Sequence, residues 1–206
     1  MKDVAGKHIQ GNILIYFIVI MFFVIGISSG AFTVKALSAT HKQELIGYLK
    51  SFFQLLSDNE FEELAILKQS LLNNLQSGAL IWILGVTVIG IPLILLLIAV
   101  RGFIIGFTVG FLVENIGLKG FLFSLVSIVP QNLFIIPGLI IIAVIAISFS
   151  TMVIKNRLNK TQKQNIFSQF VLYSMIIFFL FLIIGVGCIV EAYITPIFMK
   201  MISSYM

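Results

Sequence analysis

Few side chains in this sequence could do chemistry, and their placement keeps most of them apart. The two histidines are His8, in a basic N-terminal tail, and His41, beyond the first apolar run. A membrane crossing between them would stop them sharing a metal ion or a base role. The single cysteine, Cys188, rules out an internal disulfide framework and reads as a small apolar residue near the end of an apolar run. No phosphate loop, HExxH or GxSxG motif occurs. No catalytic set, metal cluster or cofactor site is therefore expected, and the chain does not read as an enzyme. Glu114 and Glu191 are the ionisable residues nearest to long apolar runs. A charge at bilayer depth is costly, so each is expected either at a solvated interface or in a polar contact inside a bundle or with a partner. The other polar feature in apolar surroundings is "SIVPQNLFIIPG", which sets Pro130, Gln131, Asn132, Pro137 and Gly138 inside the apolar second half.

The elements that must position these residues are membrane spans. With 60% hydrophobic and only 10% charged residues over 206 positions, the chain has too little polar surface to cover a soluble globule. Its mean hydropathy of +1.14 agrees. The expected fold class is all-α: a polytopic transmembrane helical bundle of about five spans. The expected spans are 12–34, 78–100, a short glycine-rich span at the start of 102–129, a broken span 130–154, and 170–192. The first reads as an uncleaved signal-anchor, because its apolar run is too long for a cleaved leader. The rest of 102–129 reads as a short or re-entrant helix entering from the outer face. The whole of 1–206 reads as a single integral membrane domain, with the lipid bilayer as its first partner.

Loop charge orients the spans. With the N-terminus inside, Lys2, Lys7, Arg101, Lys155, Arg157, Lys160 and Lys163 lie inside against Asp3 alone, while six lysines face seven acids outside. The basic stretch "KNRLNKTQK" falls in a cytoplasmic loop, 155–169, and the tail 193–206 lies outside. A net charge of +5 with dispersed basic residues excludes nucleic acid as a partner.

The outside loop, 35–77, carries two leucine-rich stripes at helical spacing and reads as two amphipathic helices, lying on the outer leaflet or docking a partner. Ser57 and Glu60 form a capping box for the second helix. Glu60, Glu62 and Glu63 place negative charge in its first turns and are the leading partner-docking candidates, together with Glu114 and Glu191. Gly26 and Gly30, and Gly102, Gly106 and Gly110, recur at spacings of four. Such small faces let helix backbones approach closely in lipid. Their partner would be a helix of this chain, of another protein, or of a second copy in a homo-oligomer. At the "PQN" break, Pro130 lacks a backbone donor and Pro137 removes the bond to residue 133. A chain reversal near Pro130 and a kink at Pro137–Gly138 are expected, with Gln131 and Asn132 satisfying freed backbone groups.

Taken in order, the first span, the amphipathic outside segment, "AVRGFIIGFTVGF", "SIVPQNLFIIPG" and "CIVEAYITPIF" resemble the stage II sporulation protein M family over nearly the whole chain. The resemblance implies a non-enzymatic protein of the mother-cell membrane. It would act with stage II sporulation proteins D and P, which degrade peptidoglycan during engulfment of the forespore. Many relatives in the wider family carry Pro-His-Gly at the break, whereas this chain has Pro130, Gln131 and Asn132. That departure weakens any transport chemistry carried over from distant relatives. The rival reading is a permease-like subunit moving a small molecule or lipid through the broken-helix site.

Overall fold

The computed structural model describes residues 11–57, 63–87, 89–158 and 165–203, and every element among them is helical. The helices are α1 (Ile13–Ala36), α2 (Ala39–Ser57), α3 (Glu63–Gly85), α4 (Gly90–Ile116), α5 (Leu118–Leu158) and α6 (Ile166–Ile189). A π-helical turn, Val190–Ile194, follows α6 and leads into α7 (Thr195–Ser203). A polytopic helical bundle is thus what the chain forms.

The glycine faces set the geometry. Cβ atoms added at Gly26 and Gly30 would strike the carbonyls of Ala99 and Phe103, and at Gly102 and Gly106 those of Phe23 and Ile27. Numbers rise together along both helices, so α1 and α4 run parallel with their backbones in contact, and the partner of each glycine face lies within this chain. Two parallel helices require the chain to return between them. That return is α3, which runs antiparallel to α6: Ser70 reaches Glu191, while Trp82 donates its indole N–H to Ser174. The bundle therefore has an apical end, holding α2, the α4–α5 turn and α7, and a basal end, holding the α3–α4 turn and the start of α6.

Both turns follow from local chemistry. Between α3 and α4 the Thr87 hydroxyl donates to the Leu84 carbonyl, and Ser150 of α5 donates to the Thr87 carbonyl. Gly90 leaves room for the Leu84 carbonyl, and Pro92 lies in the first turn of α4, where its missing N–H costs nothing. Between α4 and α5 only Gly117 intervenes, at φ 69°. That left-handed conformation suits glycine.

Among the described residues four helices are long and apolar enough to cross a membrane: α1, α4, α5 and the run from α6 onward. Five were expected, and the difference lies in α3, whose polar content keeps it out of that set although it threads the bundle. The expected span 78–100 is divided: its first part ends α3 at Gly85 and its second begins α4 at Gly90. The glycine-rich segment is the second half of α4 rather than a short separate span.

The expected re-entrant helix and broken span are likewise replaced by one helix of 41 residues with Pro130 and Pro137 inside it. Neighbouring groups make this tolerable, since side-chain donors and packed helices can stand in for lost backbone bonds in a membrane bundle. α5 is also the central helix, with Ile142 through Ile147 all buried, as expected of a helix apolar on every side. Around it, α1 and α6 turn large apolar residues such as Phe17, Phe32, Phe178 and Phe179 outward, where acyl chains would meet them.

The outside loop departs from expectation in its orientation. In α2, Leu45 and Leu49 are half-buried and Tyr48 is 75% exposed, consistent with an amphipathic helix. In α3 the buried positions are Ser70, Asn74, Gly78, Ile81 and Gly85, with Leu67 and Leu71 half-buried against the core, while Leu64, Leu72, Leu75 and Leu80 face outward. Polar and small residues thus share the inward face with part of the leucine stripe, because hydrogen-bond partners and close backbones are available there. The capping box falls partly outside the described residues.

Candidate functional site

The inward stripe of α3 builds the most polar place in the bundle. Ser70, Asn74 and Ser77 recur at helical spacing and look toward α4, α5 and the π turn, while the exposed Asn73 offers its backbone carbonyl and keeps its side chain on Gln69. From α4, Arg101 donates through Nη2 to the Asn73 carbonyl at 3.0 Å and to the Ser77 hydroxyl at 2.6 Å. From the π turn, the Glu191 carboxylate accepts the Ser70 hydroxyl at 2.5 Å. The Asn74 amide donates to the Ser70 carbonyl at 3.0 Å and makes weaker contacts with the Ser70 hydroxyl and the Cys188 sulfur. Its Oδ1 is buried with no partner among the described residues. Flipping the amide would set an oxygen against the Ser70 carbonyl, so the hydrogen-bond network fixes the assignment.

Ser70, Asn73, Asn74, Arg101 and Glu191 border a partly open cavity of about 220 Å³, completed by Gln131, Asn132 and aliphatic side chains including Ile98, Ile105, Ile135 and Leu139. Arg101 lies ~16 Å along α4 from Gly90, near the middle of a ~30 Å hydrocarbon core. Its expected place in an inner loop is therefore corrected, because the span continues through it. Among the described residues Lys42 and Glu114 form an ion pair, and His41 lies 3.5 Å from Glu44. Arg101 and Glu191 thus border one cavity without closing a direct pair. π-Helical turns occur often at functional sites, and here the turn carries Glu191.

The residues of the expected break sit beside this cavity. Gln131 donates to the Ser127 carbonyl at 2.7 Å and Asn132 to the Ile128 carbonyl at 2.8 Å. Both therefore bond backbone one turn back in their own helix, with no chain reversal. The Gln131 Oε1 accepts the buried Thr195 hydroxyl at 2.8 Å, which ties α5 to the start of α7. Gly138 leaves space for Ile184 of α6, and Gly187 for Ile135 of α5.

The docking candidates separate. Glu114 pairs with Lys42 of α2, with both side chains about one-third exposed, and Glu191 turns into the bundle. Glu63 is exposed at the start of α3, and Glu60 and Glu62 lie outside the described residues. Among the described residues no group of histidine, cysteine, aspartate and glutamate is arranged to hold a metal ion. Sequence reasoning missed Arg101, Ser70, Asn73, Asn74 and Thr195 as site residues. The polar stripe of α3 is legible at spacings of three and four, on the face that also carries Leu67 and Leu71.

No curated protein and no solved structure matches the chain. The model of the stage II sporulation protein M family matches residues 19–196. That interval includes the parallel glycine pair, the α3 polar stripe, Arg101, the proline-containing α5 and the Glu191 turn. The chain belongs to the stage II sporulation protein M family and is a sporulation-related, multi-pass membrane protein.

Proposed function

We propose that the protein is a non-enzymatic membrane scaffold that anchors and localises a peptidoglycan-degrading complex during forespore engulfment. Its partners would be stage II sporulation proteins D and P, and its location the mother-cell membrane. The observation that carries this reading is α2. It lies at the apical end as a short amphipathic helix, held to the bundle by the Lys42–Glu114 pair, with Glu44, Tyr48 and Lys50 on its exposed side. The basic residues between α5 and α6 favour a cytoplasmic basal end, so the N-terminus would be cytoplasmic, and α2 and the C-terminus would lie outside, on the side of the wall. Charge reversal at Glu44 and Lys50 of α2, together with Glu60, Glu62 and Glu63 just after it in the chain, tests the docking surface. Membrane insertion should stay normal while both hydrolases fail to co-purify, and undiminished co-purification of both would count against it.

The cavity favours a second reading, a permease-like subunit that moves a small molecule or lipid. Replacing Gln131 and Asn132 should abolish function in a permease even where the protein still assembles. In a scaffold, the same replacements should act only through stability or assembly.

A further inference from the structure

We propose that the cavity bordered by α3, α4, α5 and the Glu191 turn binds a small zwitterion: a molecule with one acidic group and one primary ammonium a few bonds apart. The site does not depend on the scaffold reading, and either can fail without the other.

Three observations carry it. First, among the described residues Arg101 uses Nη2 on α3 and leaves Nε and Nη1 without an acceptor, and Glu191 has one oxygen bonded to Ser70 and a second without a donor. A guanidinium matches an acidic group, and a carboxylate oxygen matches an ammonium. Second, the two charges balance. A bare anion or cation would leave net charge in an apolar surrounding, which is costly, whereas a zwitterion keeps the site neutral. Third, the dimensions agree. Ser70 and Ser77, which anchor the two charges, are two turns apart on α3, ~10 Å along its axis. With a hydrogen bond of ~2.8 Å at each end, about 4 Å remains between the ligand's own charged groups. That is close to the separation in an α-amino acid or an ethanolamine phosphate.

The cavity volume of about 220 Å³ corresponds to roughly seven waters, enough for a ligand of similar heavy-atom count. Phe23, Ile98, Ile135 and Leu139 supply an aliphatic wall for the rest of it. The unmet Oδ1 of Asn74 leaves the same wall one acceptor in excess, as a donor-bearing ligand requires.

The chemistry could come from a free amino acid or from a phosphatidylethanolamine headgroup, and one experiment separates them. The full chain is placed in nanodiscs of phosphatidylglycerol, and its unfolding midpoint and calorimetric binding are measured with L-leucine. The comparison ligands are 4-methylpentanoate, which lacks the ammonium, and 3-methylbutylamine, which lacks the carboxylate. The measurement is then repeated in discs containing phosphatidylethanolamine. A free amino acid ligand predicts binding of leucine, with each single-charge analogue weaker by about tenfold or more. A headgroup predicts a raised midpoint in phosphatidylethanolamine and no leucine effect. The double substitution Arg101→Gln with Glu191→Gln should remove whichever response is seen. If neither leucine nor phosphatidylethanolamine has an effect, if the single-charge analogues bind as well as leucine, or if the double variant responds like the wild type, the proposal is overturned. The analogue comparison needs no variant, so it stands even where the double substitution fails to fold.

Discussion

Replacing Gly106 with alanine should drive a wedge between α1 and α4. A Cβ at Gly106 would fall onto the Ile27 carbonyl oxygen, 2.7 Å from its carbon and 2.8 Å from the Ile27 Cα. Carbon atoms in ordinary contact lie ~3.5–4.0 Å apart, so the two backbones must part by about 1 Å. Overfilling a close-packed interface costs ~1–3 kcal/mol. Alanine returns at most ~1 kcal/mol through its better helix propensity. With the full return the net loss is ~0–2 kcal/mol, and the carbonyl clash places Gly106→Ala at the upper end of that range. Two internal controls grade the effect. At Gly110 the nearest atom to an added Cβ is the Ala31 Cα at 3.1 Å, and at Gly185 nothing lies within 4 Å. Unfolding of the purified protein in bicelles, followed by steric trapping, should therefore rank Gly185→Ala equal to or above the wild type, Gly110→Ala slightly below it, and Gly106→Ala lowest. A Gly106→Ala protein as stable as Gly185→Ala would refute the parallel close approach of α1 and α4.

Thr195→Val should cost ~1–3 kcal/mol in the same assay, because it strands the buried Gln131 Oε1 without its donor. Tyr173→Phe removes a 2.8 Å bond to the Trp82 carbonyl but leaves the ring stacked on Phe149, so a loss of only ~0.6 kcal/mol is expected, typical of hydrogen bonds inside membrane bundles. Lys42→Glu should leave the unfolding midpoint nearly unchanged, since a pair this exposed contributes ~0–1 kcal/mol. It should nevertheless speed proteolysis within α2 by setting two carboxylates against each other, and unchanged cleavage would show that α2 is held in some other way.

The glycine faces were legible because spacing of four on a helix is unambiguous and close approach in lipid needs small residues. The turn between α3 and α4 was hidden because hydropathy runs unbroken across it. Its signals were Gly85, Gly90 and a proline placed where a helix tolerates one. Arg101 was read as a loop residue because a charge normally ends a span. Here Asn73 and Ser77 satisfy it from a neighbouring helix, and sequence cannot show that helix arriving. The prolines of α5 misled in the opposite direction. They weaken an isolated helix, but α5 is packed through much of its length, and the lost bonds are tolerated there. The π turn that aims Glu191 at Ser70 has no local sequence signature, so Glu191 could be placed near the membrane's edge but not assigned its partner.

The scaffold reading is tested most directly by photocrosslinking in sporulating cells. A photoreactive residue at Tyr48, exposed on α2, is compared with one at Phe178, exposed on the apolar face of α6. Docking through α2 predicts crosslinks from position 48 to stage II sporulation protein D or P and none from position 178. Crosslinks from neither position, in cells that assemble the complex normally, would contradict docking through α2.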